Sequence, residues 1–214
     1  MQVANLAEEA ANAIGANSLL ARTGALYHDI GKIKSPEYFT ENQTSLSPHL
    51  GMTCEDSARK IISHVTYGLE LAEKHHLPKV LCDFIRTHHG RGKASFFYIT
   101  QKNKQPNVYV DPAPFTYPGP DPETPEQAIL MMADSVEAAS RSLKVITKEA
   151  ITEQTSNIID HLVHEGRFAH CAITLAEIEK VKETLCKKLL TINHTRIQYP
   201  ELKEEESQNV QQKG

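Results

Sequence analysis

Apolar residues recur along this chain at helical spacing, in blocks that glycine and proline separate. Val3, Leu6, Ala7, Ala10, Ala11 and Ile14 form the first stripe, and Gly15 closes it as a C-cap. Asn17 or Ser18 can cap a second helix that runs through Leu19, Leu20 and Leu26 to Tyr27. Ile30 to Leu50 holds Gly31, Pro36, Pro48 and many polar residues, and reads as a loop. Cys54 to His75 is predicted as a long helix whose buried stripe is Ala58, Ile61, Ile62, Val65, Leu69 and Ala72. Pro78 suits the first turn of the next helix, Lys79 to His89, which ends at Gly90.

The segment from 91 to 124 breaks the pattern. Seven of the 11 prolines lie between Pro106 and Pro125, and Phe115-Thr116-Tyr117-Pro118-Gly119-Pro120 cannot be helical. Phe96, Phe97, Tyr98, Tyr109, Phe115 and Tyr117 cluster there, which predicts an ornate binding loop, with a short strand pair around Phe97 and Tyr109. Helical periodicity resumes from Glu126 to about Val145, opened by Thr124 with Glu126 and Gln127, then over Lys148 to His164 and Thr174 to His194. The run from Glu201 to Gly214 is charged and lacks apolar periodicity, which predicts a disordered tail. There is no internal repeat and no sign of a second core. The predicted fold is an all-α bundle, one domain over residues 1–200, with one long Pro- and aromatic-rich loop.

Composition changes this picture little. A net charge of −4 gives no global nucleic-acid footprint, so neither DNA nor RNA is an expected partner. Cys54, Cys82, Cys171 and Cys186 lie far apart, which argues against a zinc knuckle or a disulfide framework and for reduced thiols of a cytoplasmic protein. No apolar stretch reaches the ~18 residues of a membrane span, and the N-terminus lacks a secretory pattern. The oligomeric state is not legible. The 11 histidines, however, call for local explanations.

His28-Asp29 is the most informative pair. An imidazole and a carboxylate side by side can serve two metal ions, with the carboxylate bridging. His64 lies near the stripe of its helix, His88-His89 ends an apolar run, and Asp134 interrupts the run Ala128 to Val136. Each has an ordinary alternative: a core histidine, a helix C-terminal cap, an acid on a polar helix edge. A carboxylate on a buried helix costs several kcal/mol unless it is paired; Arg141, two turns along the same face, is too distant to be its automatic partner. Together the six residues point to a hydrolytic metal centre. Imidazoles with carboxylates suit Fe, Mn, Zn or Ni better than Ca or Mg. Two such ions roughly 3.5–4 Å apart would activate water and clamp a phosphate. Lys32 would meet phosphate charge, or else be a solvated loop cation.

These positions resemble the HD-domain metallophosphohydrolase superfamily. Stretches 3–8, 27–32, 41–43, 63–65, 88–90, 117–120 and 133–138 are similar, more closely, to the cytoplasmic catalytic domain of the seven-transmembrane HD family, the bacterial cyclic-di-AMP phosphodiesterases. The resemblance runs from Val3 to about Pro200. It implies two divalent ions, iron or manganese, with His28, Asp29 and Asp134 on one and Asp29, His64, His88 and His89 on the other. It implies cleavage of cyclic di-AMP to linear pApA, with Asp29 and Lys32 in the catalytic machinery, Lys32, Tyr117 and Arg141 on substrate, and Tyr117 stacking on adenine. The parent protein would be anchored at the cytoplasmic face of the bacterial inner membrane.

The family has a further metal-binding His just upstream of Val3, which this chain lacks, so a truncated domain with a weak first metal site is expected. The cyclic-di-GMP branch ranks second, because Gly90 follows His89 where that branch places Glu, and the order Tyr117-Pro118-Gly119 differs. A phosphohydrolase of smaller nucleotides and a domain that binds the dinucleotide without turnover are the remaining alternatives.

Overall fold

The computed structural model describes residues 1–43, 46–143 and 146–194, and it is helical throughout, with no strand among those residues. Eight α-helices follow in chain order: α1 (Gln2–Ile14), α2 (Ser18–Tyr27), α3 (Cys54–Lys74), α4 (Lys79–Thr87), α5 (Ser95–Lys104), α6 (Pro125–Ser140), α7 (Lys148–His164) and α8 (Leu175–His194). Short 3-10 turns at Ile30–Lys34, Pro36–Tyr38 and Thr40–Asn42 bridge α2 to α3.

At the helix starts Asn17 and Thr124 act as the sequence predicts, and Thr53 caps α3 in the same way. Asn17 Oδ1 accepts from the Leu20 amide, Thr53 Oγ1 from Asp56, and Thr124 Oγ1 from Gln127, each satisfying a donor that the first turn leaves without a helical partner. Pro125 takes the first position of α6, where its missing N–H costs nothing.

The centre of the bundle is α6. Ala128, Ile129, Leu130, Met131, Met132, Ala133 and Val136 are all buried, in contact with the Leu6 and Ala10 face of α1, with Phe84 of α4, and with Ile151, Ile159, Val181, Leu185 and Leu189 of α7 and α8. A helix apolar on nearly every side needs neighbours on every side. The same environment makes Asp134 costly unless it has a partner.

Three expectations change. The strand pair at Phe97 and Tyr109 is replaced by helix α5, with one isolated bridge, Lys93 to Thr116, as the only extended pairing among the described residues. α5 buries none of its own residues and is held from outside, by Tyr98 against Phe115 and by the Ala94 amide donating to Phe115 O. A satellite apolar cluster, Cys54, Ala58, Ala94 and Phe115, lies beneath this segment, where no second cluster was expected. Finally, α6 ends at Ser140; the predicted end at Val145 and the predicted tail 201–214 fall outside the described residues.

Candidate metal centre

Two helix C-termini and two helix interiors deliver the six predicted ligands to one place. His28 caps the C-terminus of α2 and Asp29 follows it, His88 caps α4 and His89 follows it, and His64 and Asp134 come from within α3 and α6. His64 lies on the buried face of α3 between Ala58 and Val65, not beside it.

The backbone sets the histidine tautomers. His28 Nδ1 is 2.7 Å from Ala25 O, His64 Nδ1 2.6 Å from Ile61 O, and His88 Nδ1 2.8 Å from Ile85 O. A carbonyl only accepts, so each Nδ1 carries a proton, and His64 and His88, held neutral, each turn a bare Nε2 lone pair inward. The Nε2 atoms of His64 and His88 stand 3.0 Å apart. With no proton available between them, the two lone pairs repel unless a cation accepts both. Two nitrogens about 2.1 Å from one ion and at right angles would be about 3.0 Å apart.

Asp29 joins two groups. Its Oδ2 is 3.1 Å from His28 Nε2, and its Oδ1 is 3.4 Å from His64 Nε2 and 3.8 Å from His88 Nε2. Asp134 Oδ1 is 3.5 Å from His28 Nε2. Two triads result, His28-Asp29-Asp134 and His64-His88-His89, each with ligand atoms within 4.8 Å of one another.

The electrostatics agree with this division. Burial alone would lower His28, but the Asp29 and Asp134 carboxylates override it and push its pKa up to about 10. Positive charge is thus strongly favoured between those acids. Yet His28 Nε2 is buried without an aligned hydrogen-bond partner. Such an orphaned nitrogen between two carboxylates fits a divalent ion. Burial and neighbouring imidazoles hold His88 and His89 well below the usual histidine range, and burial lowers His64, so the second triad offers uncharged donors. Burial would raise Asp29, but the charges of His28 and Lys32 hold its carboxyl well below the usual carboxylate range.

The structure brings the other predicted residues nearby in altered roles. Lys32 is not a free loop cation: its Nζ is 2.8 Å from Asp29 Oδ2 and 2.7 Å from Glu41 Oε1. Tyr117 is buried, its ring 4.2 Å from His89 and tilted by 34°, so one π face covers a histidine while the residue also lines a cavity. Arg141 pairs with buried Glu137 at 2.8 Å and shares a cavity with His28, Asp29 and the first turn of α1. Glu137 was legible as an i,i+4 partner of Arg141. Glu41 gave no such signal, because the turns between it and Lys32 are irregular.

A cavity of about 500 Å³ opens beside the centre, lined by Tyr38, Phe39, His49, Phe96, Phe97 and Tyr117. The HD domain family matches residues 1–139. The chain belongs to the HD family. It is 43% identical over 202 residues to the cyclic-di-AMP phosphodiesterase PgpH of Bacillus subtilis and 45% over 205 residues to that of Listeria monocytogenes, covering 94% and 95% of this chain. It spans 28% of the length of each of these relatives. Its fold matches the crystal structure of the L. monocytogenes PgpH HD domain in complex with cyclic-di-AMP, with TM-score 0.86 and 45% identity over 93% of this chain and 92% of that one. Another structure of that domain gives a TM-score of 0.85, with 91% of each chain covered.

Proposed function

We propose that this HD domain is a metal-dependent phosphodiesterase that opens cyclic di-AMP to linear pApA. The observation that carries the reading is the pair of triads with Asp29 in one and facing the other, in a chain similar over nine tenths of its length to a domain solved with that dinucleotide. His28, Asp29 and Asp134 would hold one ion and Asp29, His64, His88 and His89 the other; the donor set suits Fe, Mn, Zn or Ni, and the family resemblance favours iron or manganese among them. When bound, a pair of divalent ions supplies Lewis acidity towards water and phosphate.

The chain's own residues do the rest. The i−3 carbonyls keep the Nε2 lone pairs directed inward. Lys32 places positive charge beside Asp29, where it meets a phosphate oxygen once the Glu41 contact loosens. Arg141, half exposed in the cavity that His28 and Asp29 also line, would meet the second phosphate. The aromatic cavity takes a purine, with Phe96 the most exposed ring available for stacking. Tyr117 supports His89 rather than the base. The domain would act at the cytoplasmic face of a membrane-anchored parent; no described helix is long and apolar enough to cross a bilayer.

Turnover of cyclic di-AMP with added Mn2+, followed by chromatography of the products, tests the reading. Release of pApA is expected, with cyclic di-GMP cleaved more slowly. Tight binding of cyclic di-AMP with no product would instead establish a binding domain, and faster cleavage of cyclic di-GMP would reassign the substrate.

A further inference from the structure

The turn that carries His88 and His89 is gripped from two sides. On one side stands Tyr117, whose ring lies on His89 and whose amide donates to Gly92 O at 2.8 Å. On the other stands Asp121. Its Oδ1 accepts from the Arg91 amide at 2.9 Å, and its Oδ2 is 3.3 Å from Arg91 Nε. The carboxylate presses on Gly90, which has φ +51, and a Cβ at Gly90 would collide with Asp121 Oδ1. Only glycine therefore lets the acid come this close to the residue after the histidine pair.

Asp121 is itself held. Arg167 is buried, with Nη1 3.3 Å from Asp121 Oδ1, while its Nε and Nη2 donate to Glu165 Oε2 at 3.1 and 2.8 Å. Arg167 follows α7, beyond the residues that the HD family matches. Asp121 contacts the turn at Gly90 and Arg91 and not a ligand atom of the triad, and Arg167 contacts Asp121 and Glu165. A buried ion pair with this geometry has its effect on what it positions.

We propose that Asp121 and Arg167 are positioning residues for the His64-His88-His89 triad, through which the region after α6 sets the metal affinity of the HD core. The proposal rests on the two-metal reading given above. Partners of this kind, one step removed from the metal, change its affinity by about 10- to 100-fold.

The test is Mn2+ titration of the full chain against a competing chelator, with electron paramagnetic resonance to detect the exchange-coupled ion pair, for the wild type, Asp121→Ala, Asp121→Asn, Arg167→Ala and Arg167→Lys. Asp121→Ala and Arg167→Ala are expected to weaken one of two Mn2+ sites by about tenfold or more and to lose the coupled signal. Arg167→Lys, which keeps the charge, is expected to restore part of it. Wild-type affinity at both sites in folded Asp121→Ala overturns the proposal. If Asp121→Ala does not fold, the near-isosteric Asp121→Asn decides, and wild-type affinity there overturns it equally. A wild-type chain that binds no Mn2+ overturns the two-metal reading and this inference with it.

Discussion

Asp29→Ala is expected to empty the whole centre, not half of it. Each carboxylate oxygen faces a different triad, Oδ2 towards His28 and Oδ1 towards His64 and His88. Removing both oxygens takes away the carboxylate that faces the second triad, whose own members are neutral imidazoles. It also removes one of the two carboxylates beside Lys32 and one of the two beside His28. Metal content by mass spectrometry should fall from about two equivalents to near zero, and turnover by more than about 10³-fold, because the water-activating chemistry of the ions is lost. Asp134→Ala is the informative contrast. Its carboxylate faces His28, so one ion should leave and the other stay. Retention of a tight ion in Asp29→Ala would remove the bridging role.

Gly31→Ala is expected to be the most damaging substitution of an uncharged residue near the site. Gly31 follows the His-Asp pair by two positions and packs its backbone on α3. A Cβ there would overlap His64 O and come within 2.5 Å of the Gly68 amide nitrogen. Both obstacles are backbone, so no side-chain rotation relieves them. The 3-10 turn must lift away from α3, which separates Asp29 from His64. Overpacking of this severity costs about 3 kcal/mol, at the upper end of the usual range. For a chain of this length that corresponds to a fall in Tm of roughly 6–12 °C. Thermal unfolding checks the first part, and Mn2+ affinity at the second triad checks the second. A Tm within a degree or two of wild type would show that the turn is not packed as described.

Much of this was legible from the chain itself, for physical reasons that can be located. α1, α2 and α3 emerge from their apolar periodicity, with Gly15 and Asn17 at the ends of the first two, because burial and capping are both local signals. The six candidate ligands were readable because histidines and acids inside apolar runs are costly without partners. What escaped was non-local. α5 has aromatic and β-branched residues that suit a strand equally well, and only its contacts with Phe115 and α3 hold it as a helix. Tyr117 was read as a free aromatic because nothing in its neighbourhood announces His89, 28 positions earlier. Asp121 and Arg167 went unnoticed for the same reason: their partners are 30 and 46 residues distant. Lys32 was visible as a cation, but not its pairing with Glu41 across an irregular turn.

The central claim is that two cations share Asp29. Crystals of the chain grown with Mn2+ and measured at the manganese absorption edge test it most directly. The account predicts two anomalous peaks roughly 3.5–4 Å apart, one against His28, Asp29 and Asp134 and the other against Asp29, His64, His88 and His89. A single peak that leaves Asp29 uncoordinated, or no peak among these six side chains, would contradict it.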